Sequence, residues 1–97
     1  MDEKHVEALD ALCIEETPLA RLTYKAVVLI QYAPVPRDIR EKYTEKIGEV
    51  ALAVMLGKLS EKKAMRKVRG IYGAFKGWMH KYLSPRVYIR KEGEKDG

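Results

Sequence analysis

Residues 58–83 read KLSEKKAMRKVRGIYGAFKGWMHKYL, and the spacing of their apolar side chains sets the fold class. At ~100° per residue, the period of an α-helix, three faces separate. Met65, Val68, Ile71, Tyr72, Phe75, Trp78, Met79, Tyr82 and Leu83 gather on one apolar face. Lys58, Lys62, Arg66, Arg69, Lys76 and His80 line a basic stripe, and Gly70, Gly73 and Gly77 lie beside it. The stretch therefore predicts a long amphipathic helix, with a dense basic edge next to a strip that carries no side chains. Eight of the nineteen Lys and Arg residues fall here, against the single acid Glu61.

Charge is segregated along the rest of the chain as well. Residues 1–33 carry a net −3, residues 34–57 balance, and residues 58–91 carry a net +10, within a total of +5. Separation of this kind in a small domain suits a surface for a polyanion. Ninety-seven residues make one domain with a modest core, expected to span 1–91 with a polar, disordered tail over 92–97. The one cysteine, Cys13, excludes an intramolecular disulfide and a thiolate metal cluster. No signal-peptide pattern opens the chain, and no apolar run approaches the ~18 residues that cross a bilayer. The chain reads as a cytoplasmic protein without a transmembrane segment. Asn is absent and Gln occurs once, at Gln31, while Lys, Glu and Arg abound, the compositional pattern of thermophilic proteins.

Outward from the basic stretch, other segments also read as helices. EKHVEALDALCIE over 3–15 puts Val6, Leu9, Leu12 and Cys13 on one side with acids opposite. Thr17-Pro18 is a cap followed by proline at the first helical position. The next run fits a helix, although its β-branched and aromatic part, 24–32, also suits a buried strand. Pro34 and Pro36 break the chain. Asp38 with Glu41 three residues on resembles a capping box for a helix over 39–56. The apolar second half of that helix predicts the central, most buried position. Gly57 closes it, Ser60 caps the basic helix, and Leu59 is placed to staple onto Ala64. Ser84-Pro85 predicts a stop, and 86–91 a short strand or extended arm. The expected fold is all-α, a compact bundle of about four helices.

The basic helix is the candidate site. Like charges at i, i+4, Lys62–Arg66 and Lys63–Lys67, cost a few tenths of a kcal/mol per pair, and phosphate contacts would offset that. The three glycines cost about 2.5–3 kcal/mol together, which favours a surface where another backbone comes close. That backbone could belong to a packed helix, a second subunit or a nucleic-acid strand; a kink is the remaining reading. The expectation is nucleic-acid binding, double-stranded DNA ahead of RNA, mainly through phosphates. Lys58, Lys62, Lys63, Arg66, Lys67, Arg69 and Lys76 supply charge, and Gly70, Gly73 and Gly77 allow close approach. Leu56–Ser60 is the kind of glycine turn a helix-turn-helix uses, although Lys63 stands where that motif buries an aliphatic.

The alternative is an interaction or oligomerisation module built on the glycine strip and aromatic face, with a homodimer as its product. Tyr72, Phe75, Trp78 and Tyr82 read as core ahead of a base-stacking platform. Glu45 and Glu49, interleaved with Arg40, Lys42 and Lys46, read as a solvated face. His5 lies in a polar turn near the amino terminus, and His80 joins the basic stripe. With no HExxH, CxxC or phosphate-cradling loop, no enzyme, metal or cofactor is expected.

Overall fold

The computed structural model describes residues 2–83. Its helices are α1 (Glu3–Cys13), α2 (Pro18–Gln31), α3 (Arg37–Met55) and α4, assigned over Glu61–Asp96 and described through Leu83. The expected stop at Ser84-Pro85, the arm over 86–91 and the tail over 92–97 lie outside the described residues. Among the described residues the fold is all-α, and no helix is long and apolar enough to cross a membrane.

Each helix start and stop has a local cause. The Asp2 carboxylate accepts from the Lys4 N–H at 3.0 Å and opens α1. The Thr17 hydroxyl accepts from the Ala20 N–H at 3.0 Å, with Pro18 at the first position of α2. The run from 24 is helix through Gln31, with Tyr32 as its C-cap, despite its β-branched content. Leu56 ends α3, and Gly57 follows it at φ 71°. Its N–H donates to the Val54 carbonyl, while the Lys58 N–H donates to the Ala53 carbonyl. This pair of bonds is a Schellman motif, which needs the left-handed residue that glycine supplies. The Ser60 hydroxyl then accepts from the Lys63 N–H at 3.3 Å and starts α4.

The beginning of α3 differs from expectation. Pro36 holds the cap position without a side-chain bond, and the helix runs from Arg37. Asp38 is already inside the first turn, and Glu41 pairs with Arg37 at 2.9 Å rather than reaching back to close a capping box. The proline rings have already set the chain's entry angle, so no side-chain cap is needed there.

The core joins Leu9 and Leu12 of α1, Leu19, Ala26 and Ile30 of α2, Ile47, Val50 and Ala51 of α3, and Ala64, Val68 and Phe75 of α4. Tyr43 meets Phe75 edge-on, ring centres 5.3 Å apart. Both α2 and α3 touch every other helix, so the centre is shared between them. The far end of α3 is not buried as expected: Met55 and the C-cap Leu56 are exposed. In α1, Val6 is also exposed, and Ala8 takes its place in the core. The α2–α3 corner is tied by polar bonds: Arg40 Nη1 donates to the Gln31 carbonyl at 2.9 Å, and Gln31 Nε2 to the Thr44 hydroxyl at 3.1 Å.

Candidate nucleic-acid interface

Helix α4 is held in the bundle by one side only. Ala64, Val68 and Phe75 are buried, and Met65, Ile71, Tyr72, Trp78 and Met79 are half-buried beside them. Everything α4 exposes from Lys62 to Lys81 is Lys, Arg, His, Gly or Ala. Lys62, Lys63, Arg66, Lys67, Arg69 and Lys76 are all on this surface, Lys58 stands in the turn before it, and Lys81 extends it. Among the described residues, the two salt bridges are His5–Glu45 and Arg37–Glu41, and neither involves these side chains. Lys76 Nζ lies 5.4 Å from the centre of the Tyr72 ring, which steadies the cation without neutralising it.

The glycine strip runs down the middle of this surface. With ~100° between residues, Gly73, Gly77 and Gly70 share one sector of the helix with Arg66, flanked by Lys62 and Arg69 on one side and Lys63 and Lys67 on the other. A Cβ built on any of the three meets nothing within 4 Å. Among the described residues no helix packs on the strip, which goes against one of the readings open in the sequence. The helix is also assigned without interruption across Gly70–Gly73, against a break there. What remains is a strip of bare helix backbone, open to solvent, on a face that otherwise carries cations.

Close helix approach through glycine does occur, at Gly48 instead. A Cβ there would lie 2.7 Å from His5 Cβ, so Gly48 is what lets α1 lie against α3. This makes His5 a packed, half-buried residue rather than part of a polar turn; its Nδ1 is 3.7 Å from Glu45 Oε1.

A groove of ≈ 590 Å³ opens between α3 and α4 and adjoins this face. Its floor is Val50, Ala53, Leu59 and Ile71, and Lys67 and Gly70 belong to both the groove and the basic face. Lys46, Lys58 and Glu49, all exposed, stand around it. Lys46 Nζ lies 5.2 Å from the Tyr43 ring centre. Sequence reasoning missed this groove because it arises where two helices meet. Its one trace in the sequence is the small residues Ala53, Gly70 and Ala74, which leave the space unfilled.

The remaining candidates have structural settings. Phe75 is core, and Trp78 and Tyr82 stack on each other at 5.1 Å while half-buried. Cys13 is half-buried, and burial, with a smaller contribution from the Asp10 charge, raises its thiol pKa. A raised pKa disfavours the reactive thiolate. Compared with protein-family models, with curated proteins and with solved structures, the chain matches none.

Proposed function

We propose that this chain binds nucleic acid, double-stranded DNA first, mainly by phosphate contacts along α4. One observation carries the reading: from Lys62 to Lys81 the solvent face of α4 combines unpaired Lys and Arg side chains with open glycines and no acid. A phosphate backbone fits such a surface on two grounds. Its charge relieves the Lys–Lys repulsion and releases counterions, and the missing Cβ atoms let it approach the helix closely. The first turns of α4, Lys62, Lys63, Arg66 and Lys67, would enter a groove if the α3–α4 turn acts as a helix-turn-helix. Few neutral side chains suited to base edges stand on this face, so discrimination among duplex sequences is expected to be low.

The test is fluorescence anisotropy with a duplex of about 30 base pairs across a salt series, long enough to span the face. With Lys62, Lys63, Arg66, Lys67, Arg69 and Lys76 all engaged, the slope of log K against log salt should be about −5. The folded Lys62→Glu/Arg66→Glu/Arg69→Glu variant should lose most of the affinity. Absence of binding by the wild type at about 50 mM salt, where such contacts are strong, would sink the reading.

The open glycine strip also favours a second reading, a homodimer packed strip to strip. Symmetry weakens it, because a two-fold contact sets the same basic surface against itself. Gly73→Leu separates the two. Loss of self-association with DNA binding intact points to packing. Loss of DNA binding at unchanged mass points to phosphate.

A further inference from the structure

We propose that the α3–α4 groove is a subsite for one unpaired nucleobase of a strand whose phosphates lie on α4, with a preference for bases bearing amino groups, guanine first. This rests on the phosphate-binding reading of α4 and adds to it a site that reads base identity. The geometry points there for three reasons. The groove is continuous with the basic face, since Lys67 and Gly70 line both. A strand lying on the basic face at Lys67 and Gly70 therefore has the opening beside it. The floor of Val50, Ala53, Leu59 and Ile71 is aliphatic, and such a surface takes the flat apolar face of a base while excluding phosphate. The ≈ 590 Å³ of the groove lies inside the range of about 300–1,000 Å³ of small-molecule sites.

The charges select the occupant further. Lys46, Lys58 and Lys67 around the opening suit the anionic backbone attached to the base. Glu49 is the one acid at the groove. Among the described residues it has no salt-bridge partner, and nearby Lys46 sits toward the Tyr43 ring. A free carboxylate in a cationic groove repels phosphate and accepts hydrogen bonds. Guanine offers it two parallel donors, N1–H and the N2 amino group; cytosine and adenine offer an amino group, and thymine only one ring N–H between two carbonyls.

The experiment compares anisotropy binding of three strands of about a dozen nucleotides at one low salt concentration, long enough to cover one such site. One is all thymidine, one is thymidine with a single central guanosine, and one has the same backbone with abasic sites. The wild type should hold the thymidine strand about fivefold or more tighter than the abasic one. The guanosine should add a further factor of about five or more. Glu49→Gln should erase the guanosine factor alone. Ala74→Trp, an exposed position at the groove, should erase the difference between the thymidine and abasic strands in the folded protein. Equal affinity of the wild type for base-bearing and abasic strands overturns the groove site and leaves the phosphate surface standing. Failure to bind duplex and abasic strand alike overturns the phosphate surface, and the groove site with it. If Ala74→Trp changes only the sedimentation of the free protein, the groove is a contact between copies and the inference is wrong.

Discussion

Replacing Gly70, Gly73 and Gly77 together by alanine should make the protein markedly more stable. Alanine is favoured over glycine in a helix interior by about 0.8–1.0 kcal/mol per site, so the triple variant should gain about 2.5–3 kcal/mol. Nothing opposes the gain, because a Cβ at each position meets no atom within 4 Å. For a domain of this size each kcal/mol moves the melting temperature by roughly 4–8 °C, which predicts a rise of roughly 10–24 °C by circular dichroism. Gly48→Ala supplies the contrast. It gains the same helix propensity, but its Cβ would meet His5 Cβ at 2.7 Å, an atom fixed directly to the backbone. Relief requires α1 to move off α3, an overpacking cost of about 1–3 kcal/mol that should leave a net loss near 1 kcal/mol. Adding His5→Gly removes the offending atom and should restore the gain in a double-mutant cycle. The reasoning is refuted if the strip alanines leave the melting temperature unchanged, for then something covers the strip in solution. It is equally refuted if Gly48→Ala stabilises as much as Gly73→Ala does.

Gly57→Ala should cost about 1–2 kcal/mol in urea unfolding, because residue 57 sits at φ 71°, a left-handed conformation that a Cβ disfavours. Thr17→Ala removes the acceptor for the Ala20 N–H and should cost about 1 kcal/mol by the same assay. Cys13 should alkylate with a rate that climbs only above the usual thiol range, since burial and Asp10 raise its pKa. Asp10→Asn should bring that profile part of the way back. Because the folded pKa is the raised one, this group's stabilising contribution is complete below the ordinary thiol pKa. It is lost as pH climbs through the folded value.

Signals confined to a few neighbouring residues were readable without the fold. Thr17-Pro18 fixed the start of α2 against a β-branched run, and Gly57 marked the α3–α4 turn, because a cap or a left-handed residue acts within one turn of chain. The start of α3 misled, because Asp38 and Glu41 match a capping box but Pro36 had already set the helix. Apolar spacing located the buried face of α4 well. It placed Val6 wrongly, because in α1 the small Ala8 is the residue that fits under close helix packing. The basic face of α4 was legible as a list of charges, since exposure follows from periodicity. The groove was not: Glu49 and Lys46 gain their setting only when α3 lies against α4, and sequence spacing along one helix carries no information about that approach.

Helix α4 bears local costs that its core contacts must offset: three glycines, like charges one turn apart, and Lys62 and Lys63 at the positive end of its own dipole. A ligand that binds only the folded state at about 100 times its Kd contributes about 2.7 kcal/mol, the same size as the glycine cost. Salt should therefore act with opposite sign on the free and bound protein. In the free protein, added salt screens the repulsion among Lys62, Arg66, Lys63 and Lys67, and the melting temperature should rise. With excess duplex present, the melting temperature should start higher at low salt and fall as salt weakens the complex. The two curves should converge above roughly 0.5 M, where the Debye length is about 4 Å and both the repulsion and the phosphate contacts are screened. A plain solvated basic face gives a rising curve in both cases, so a duplex-independent rise would identify α4 as a face without a polyanion.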